Sequence, residues 1–144
     1  MTLFVDPVLL PPKIEVLARA YLLPLMGVPI VTRVDNPSAL TDSTADVLRV
    51  EAGGGTKPNR FQYDMTCLLH GYSPDEDQAN DIADKAVALM SAARGQTVSD
   101  GTSNWYVVGV MDAGVAQRRT DPDVILPRYF ATVTWRMAGQ PWTP

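Results

Sequence analysis

Cys67 and His70 are the two side chains with the most chemistry to offer, since a thiol beside an imidazole can serve as nucleophile and base. His70 is the sole histidine, so any histidine-based triad or metal site must use it. The spacing argues against a pair. Three residues apart on a strand, the two side chains point to opposite faces. The favoured reading is a core cysteine and a strand-end histidine. A single cysteine also leaves no internal disulfide and no multi-cysteine zinc site within these residues.

Gly53-Gly54-Gly55-Thr56-Lys57 has the residue types of a phosphate-binding loop. The Walker pattern needs glycine, four residues, then Gly-Lys-Ser/Thr opening a helix. Here the spacing is absent, and Pro58 with a following strand denies the segment a helix N-terminus. Asp75, Glu76 and Asp77 fall in the first turn of an expected helix, where negative charge complements the helix dipole. Asp121 and Asp123 flank Pro122 and read as turn formers rather than an acid/base couple. Phe61, Tyr63, Tyr129 and Trp135 lie on apolar strand faces and are expected in the core. Trp142 differs, lying in a proline-rich stretch where it folds back, docks into a neighbouring subunit, or stays mobile. No catalytic, metal-binding or cofactor-binding residue is assigned.

The elements that would position these groups follow from hydrophobic spacing. A helix is expected from Pro12, with Ile14, Leu17, Ala18, Tyr21 and Leu22 on one face, ending at Pro24. Strands are expected over Pro29–Val34 and Val47–Ala52, the second running into a flexible glycine-rich connection. Residues 35–46 read as a loop. Arg60–Tyr72 alternates clearly, with Phe61, Tyr63, Met65, Cys67 and Leu69 opposite Gln62, Asp64, Thr66 and His70 on a mostly wet face. Ser73, Pro74 and Glu76 form a capping box ahead of a helix. Its stripe is Ala79, Ile82, Ala83, Ala86, Met90 and Ala93, and Gly95 marks its end. Strands Trp105–Met111, with a bulge or a close backbone approach at Gly109, and Pro127–Met137 flank a polar turn from Gln117 to Asp123. The sum is one α+β domain over residues 1–144: two main helices on one face of a mostly antiparallel or mixed sheet of four to five strands. Residues 139–144 are expected to be irregular.

Composition narrows the function classes. The chain has 144 residues, the size of one domain able to bury an ample core. Its net charge is −4, with Lys and Arg dispersed, which disfavours nucleic-acid binding. Residues 1–10 lack a basic stretch, and Asp6-Pro7 interrupts the apolar run, so no secretory leader is expected. Neither is a membrane span. The expectation is a soluble chain made in a cytoplasm.

The run Val47-Leu48-Arg49-Val50-Glu51-Ala52-Gly53-Gly54-Gly55, a strand bearing Asp64, and the capped Ala-rich helix carry a resemblance. So do Asp121-Pro122-Asp123, Pro127-Arg128-Tyr129 and a strand ending in Arg136 and Gly139. In order and spacing the chain resembles the tail-terminator proteins of long-tailed (siphovirus-type) bacteriophages, closest to those infecting actinobacteria, from the first helix to Gly139. The resemblance implies a non-enzymatic α+β virion protein at the head–tail junction, assembled in the host cytoplasm. It implies a hexameric homo-oligomeric ring that caps the tail tube protein, stops its polymerisation and meets neck or connector proteins. DNA would pass through such a ring without specific binding, and an acidic lumen would keep it from sticking. Candidate contacts between subunits or with the tube are Gly53, Gly54, Gly55, Lys57 and Arg60, then Arg118, Arg119 and Asp121, and Trp142. A neck connector is the second reading, and a small enzyme or ligand-binding domain the third.

Overall fold

The structure, a computed structural model, describes residues 10–32, 46–119 and 127–139. The elements are α1 (Ile14–Met26), β1 (Ile30–Val31), β2 (Val47–Asn59), β3 (Gln62–Tyr72), α2 (Glu76–Ser91), β4 (Thr97–Ser99), β5 (Asn104–Ala113), β6 (Gln117–Arg119) and β7 (Arg128–Gly139). One mixed sheet holds all seven strands in the order β1-β2-β3-β7-β5-β4, with β6 also on β7. All pairings are antiparallel except β1 with β2. Among the described residues the α+β class and the two helices stand as expected, while the strand number rises from four or five to seven. The two unforeseen strands, β4 and β6, have three residues each, too short for a period to be read.

Gln117–Arg119, expected as part of a turn, continues β5 along the same side of β7. Ala113 opposes Val133, and Gln117 opposes Phe130. The Gly114 amide donates to the Thr132 carbonyl across the break at 3.1 Å. Strands β5 and β6 are thus one interrupted arm of a long hairpin with β7. Register slips occur between Val107 and Gly109 and between Val110 and Asp112. The first is the irregularity that Gly109 foretold.

Helix α1 runs through Pro24 to Gly27, whose φ of 72° ends it. Pro24 removes one bond in the last turn on the exposed side, which is too little to stop the helix. The actual stop is a left-handed glycine. Helix α2 also starts differently from expectation. Its cap is Asp75, whose carboxylate accepts from the Asp77 amide at 3.0 Å. Ser73 instead donates to Asp46 at 2.6 Å and accepts from the Asp75 amide at 3.1 Å. The helix ends at Ser91, and the chain turns on through Gly95.

The core lies between the two helices and one face of the curled sheet. Leu48, Val50, Cys67, Leu69, Val107, Val133, Trp135 and Met137 meet Ile14, Leu17, Ala18 and Leu22 of α1, and the expected α2 stripe is buried in full. Trp135 donates its indole N–H to the Met90 carbonyl at 2.8 Å. At Gly71 a Cβ would run into the backbone at Ala79 and Ala83, so α2 lies directly on β3 there. The sheet curls until its two outer strands, β1 and β4, both reach α1.

Candidate interaction surface

The expected flexible glycine-rich loop is the outer strand of a hairpin. From Gly53 to Asn59 the chain stays paired with β3, through two register slips, one between Ala52 and Gly55 and one between Thr56 and Asn59. The first slip is a bulge that a positive φ of 87° at Gly54 makes possible. At Gly55 a Cβ would stand 2.5 Å from both the Asp64 carbonyl oxygen and Met65 Sδ. The tip is braced: Asn59 Oδ1 accepts from the Phe61 amide at 3.0 Å, and Asn59 Nδ2 donates to Gln62 at 2.8 Å. Lys57 lies 5.4 Å over the Tyr63 ring and Arg60 5.5 Å over the Phe61 ring.

Phe61, expected in the core, is 50% exposed because it sits in the turn itself, ahead of the alternating strand. Farther along, Asp64 accepts two bonds from Arg136 at 2.8 and 2.9 Å, directly opposite in register. That pairing holds the guanidinium in its charged form and raises its pKa. The Asp64 charge is thereby matched, while Ala52–Tyr63 contains Lys57 and Arg60 and no carboxylate.

The second candidate group lies at the other end of β7. Arg118 Nε is 2.8 Å from Glu76 Oε1, which also accepts from the Tyr129 hydroxyl at 3.2 Å. Arg119 lies 5.1 Å over the Phe130 ring. Asp84 accepts from the Ala116 amide at 3.1 Å, tying the β5–β6 break to α2. His70 was expected on a wet face but is only 5% exposed. Its ring stands 5.0 Å from Phe130 and 6.4 Å from Tyr72, and Nε2 is 3.6 Å from Glu51, which Arg49 also holds. These large neighbours cover a face that alternation alone left open.

Cys67 is fully buried on the opposite face. Burial, assisted by the Glu15 and Glu51 charges, pushes its thiol up to about 12. Near neutrality it is therefore a protonated core side chain and no nucleophile. Among the described residues, no three acidic, histidine or cysteine side chains group as metal ligands. No helix among them is long and apolar enough to cross a membrane.

A groove of about 570 Å³ opens where the curled edges meet α1. Val16, Arg19 and Ala20 form one wall, Ile30, Val31 and Thr32 another, and Asp100 of the β4–β5 turn closes it. Arg19 Nε donates to the Ile30 carbonyl at 2.9 Å. Nothing in the sequence pointed to this groove, because its walls come from three distant segments.

The structure thus gathers Gly53, Gly54, Gly55, Lys57 and Arg60 on one hairpin and puts Arg118 and Arg119 elsewhere. Gln62 opposes Ala138 and Arg119 opposes Arg128, so the hairpin tip with Arg60 and the Arg118–Arg119 strand stand at opposite ends of β7, roughly 33 Å apart at strand rise, while Gly55, opposite Met65, is level with Trp135 near its middle. Asp121 and Trp142 lie outside the described residues. The Asp64–Arg136 clasp was missed, although both residues fall on the polar side of alternating strands. Only the register makes them partners.

No protein-family model matches the chain, and no curated protein matches it. Comparison with solved structures finds a chain at 13% identity and a TM-score of 0.46, aligned over 93% of this chain and 100% of the other. Likeness at that level carries no argument about function.

Proposed function

We propose that this chain is a structural subunit of a ring that caps a phage tail tube, ends its polymerisation and offers the head-joining surface. The observation that carries the reading beyond the sequence resemblance is the polarity of the molecule. Its two candidate contact groups, the Lys57–Arg60 hairpin and the Arg118–Arg119 strand, are different patches at opposite ends of one sheet. A closed ring made head to tail joins unlike patches on successive subunits. The groups are also held on strands rather than loose loops, which lowers the ordering cost of a contact.

Strand edges serve this assembly poorly. Along β2 the outer edge carries two slips, Lys57 and Pro58, devices that discourage edge pairing. Subunit contacts in this reading are made by side chains. The test is the tail-length distribution, by negative-stain imaging, of particles assembled without this chain. Overlong, unjoined tails are the expected result. Tails of normal length that fail to join heads would overturn the capping role and make the chain a neck protein.

A further inference from the structure

The strand that carries Arg118 and Arg119 has little of its own to hold it. β6 is three residues long and exposed throughout. It is parted from β5 by the break at residues 114–116, where Val115 is 81% exposed. A ladder that short is marginal without support from another element. Helix α2 supplies the support. The Ala116 amide lies in the break, outside the register with β7, and Asp84 accepts from it at 3.1 Å. In the first turn of α2, Glu76 meets Arg118 Nε at 2.8 Å and accepts from the Tyr129 hydroxyl at 3.2 Å. Tyr129 is the residue opposite Arg118 on β7. One carboxylate therefore joins both paired strands to the helix, and a second holds the backbone where the pairing stops.

We propose that Glu76 and Asp84 are positioning residues for the contact strand: they latch the β5–β6 arm onto α2 and so set the direction in which Arg118 and Arg119 are presented. This rests on the ring reading for what the two arginines bind. The chemistry of the latch suits the role. Arg118 engages Glu76 through Nε while 63% of its side chain stays exposed, so the guanidinium is oriented without being withdrawn from solvent. Its planar fork of donors then faces a partner in a fixed plane, and an ordered side chain avoids the ordering cost that a free arginine incurs on binding. Arg119 points to the other side of the ladder, 5.1 Å over the Phe130 ring, and is fixed through the strand that it shares with Arg118. The Asp84 bond acts upstream of both, at the point where the arm is otherwise free to swing.

Alanine at either position keeps α2 helical and removes one half of the latch. In Asp84→Ala, the amides of residues 116–119 should exchange hydrogen roughly tenfold faster, the loss of one bond to a charged acceptor, while those of β3 keep their protection. Binding to purified tail tubes, read by co-sedimentation, should fall several-fold in Glu76→Ala and in Asp84→Ala. Adding Arg118→Ala to Glu76→Ala should lower it by less than Arg118→Ala does alone, because Glu76 acts through Arg118. A full, additive loss would overturn that coupling. Unchanged exchange in Asp84→Ala would overturn the latch. Faster exchange with undiminished tube binding would overturn the positioning role and leave the ring reading intact. Tighter binding by Glu76→Ala would show that Glu76 competes with the contact for Arg118, and would overturn the proposal. Failure of the natural protein to bind tubes would overturn the ring reading, and the positioning role with it.

Discussion

Trp135 shows how one residue serves two kinds of stabilisation: its ring fills the core, and its N–H satisfies a carbonyl in the last turn of α2. Trp135→Phe keeps much of the apolar contact and leaves the Met90 carbonyl without that donor. Loss of about 1–3 kcal/mol is expected in urea unfolding. Cys67 has a consequence in pH. Its folded value of about 12 lies above the ordinary 9.0, so above pH 9 the unfolded chain binds fewer protons than the folded one. Stability attributable to this thiol is complete below about pH 9 and falls by ~1.4 kcal/mol per pH unit as pH rises toward 12. Urea midpoints at pH 7 and pH 10 should therefore separate more in the natural protein than in Cys67→Ala. Equal separation would show that the thiol titrates freely when folded.

Among the elements, α2 and the β2–β3 hairpin make the sharpest expectations. Because the cap is Asp75 rather than Ser73, Asp75→Ala should lower stability by about 1 kcal/mol through loss of the helix cap. Glu76→Ala should disturb the helix start less, since Glu76 spends its carboxylate on Arg118 and Tyr129. Reversal of that order in thermal melts would restore the capping box. In the hairpin, Gly55→Ala drives a methyl into the Asp64 carbonyl, part of a paired backbone that cannot step aside. Overpacking of this kind costs about 1–3 kcal/mol. Gly53→Ala meets the Leu68 side chain at 2.9 Å instead, and a rotating side chain relieves the crowding. Chemical denaturation of the two variants should rank Gly55→Ala as the more damaging.

For the whole molecule, the separation of contact patches matters more than any one residue. Arg118 and Arg119 engage Glu76 and the Phe130 ring at the molecular surface, and exposed ion pairs of that kind contribute little to stability. Replacing both with Glu should leave the circular-dichroism melt nearly unchanged while weakening association with tubes or with neighbouring subunits. Undiminished assembly in negative-stain images would remove that end of β7 from the interface.

Wherever a periodic run was long, the sequence sufficed. Nine or more residues with a regular apolar stripe, as over Ile14–Leu22 and Ala79–Met90, can bury only one face. Alternation over Tyr63–Leu69 and Ala131–Met137 likewise assigned the core side of the sheet, and the polar spacing kept Cys67 and His70 apart. Local patterns could not reveal interactions made by register and curvature. Asp64 meets Arg136 because two strands align at one offset among several. Gly53–Asn59 remains a strand because bulges absorb its extra residues, although its composition reads as a loop. His70 is buried because Phe130 and Tyr72 close over it, and Phe61 is exposed because the turn takes in Arg60 and Phe61, so that the strand starts two residues later than alternation suggests. The groove at α1 exists only because the sheet curls until β1 and β4 face a common helix. Periodicity reports which side of an element avoids water, whereas partners and pockets depend on where distant segments come to rest.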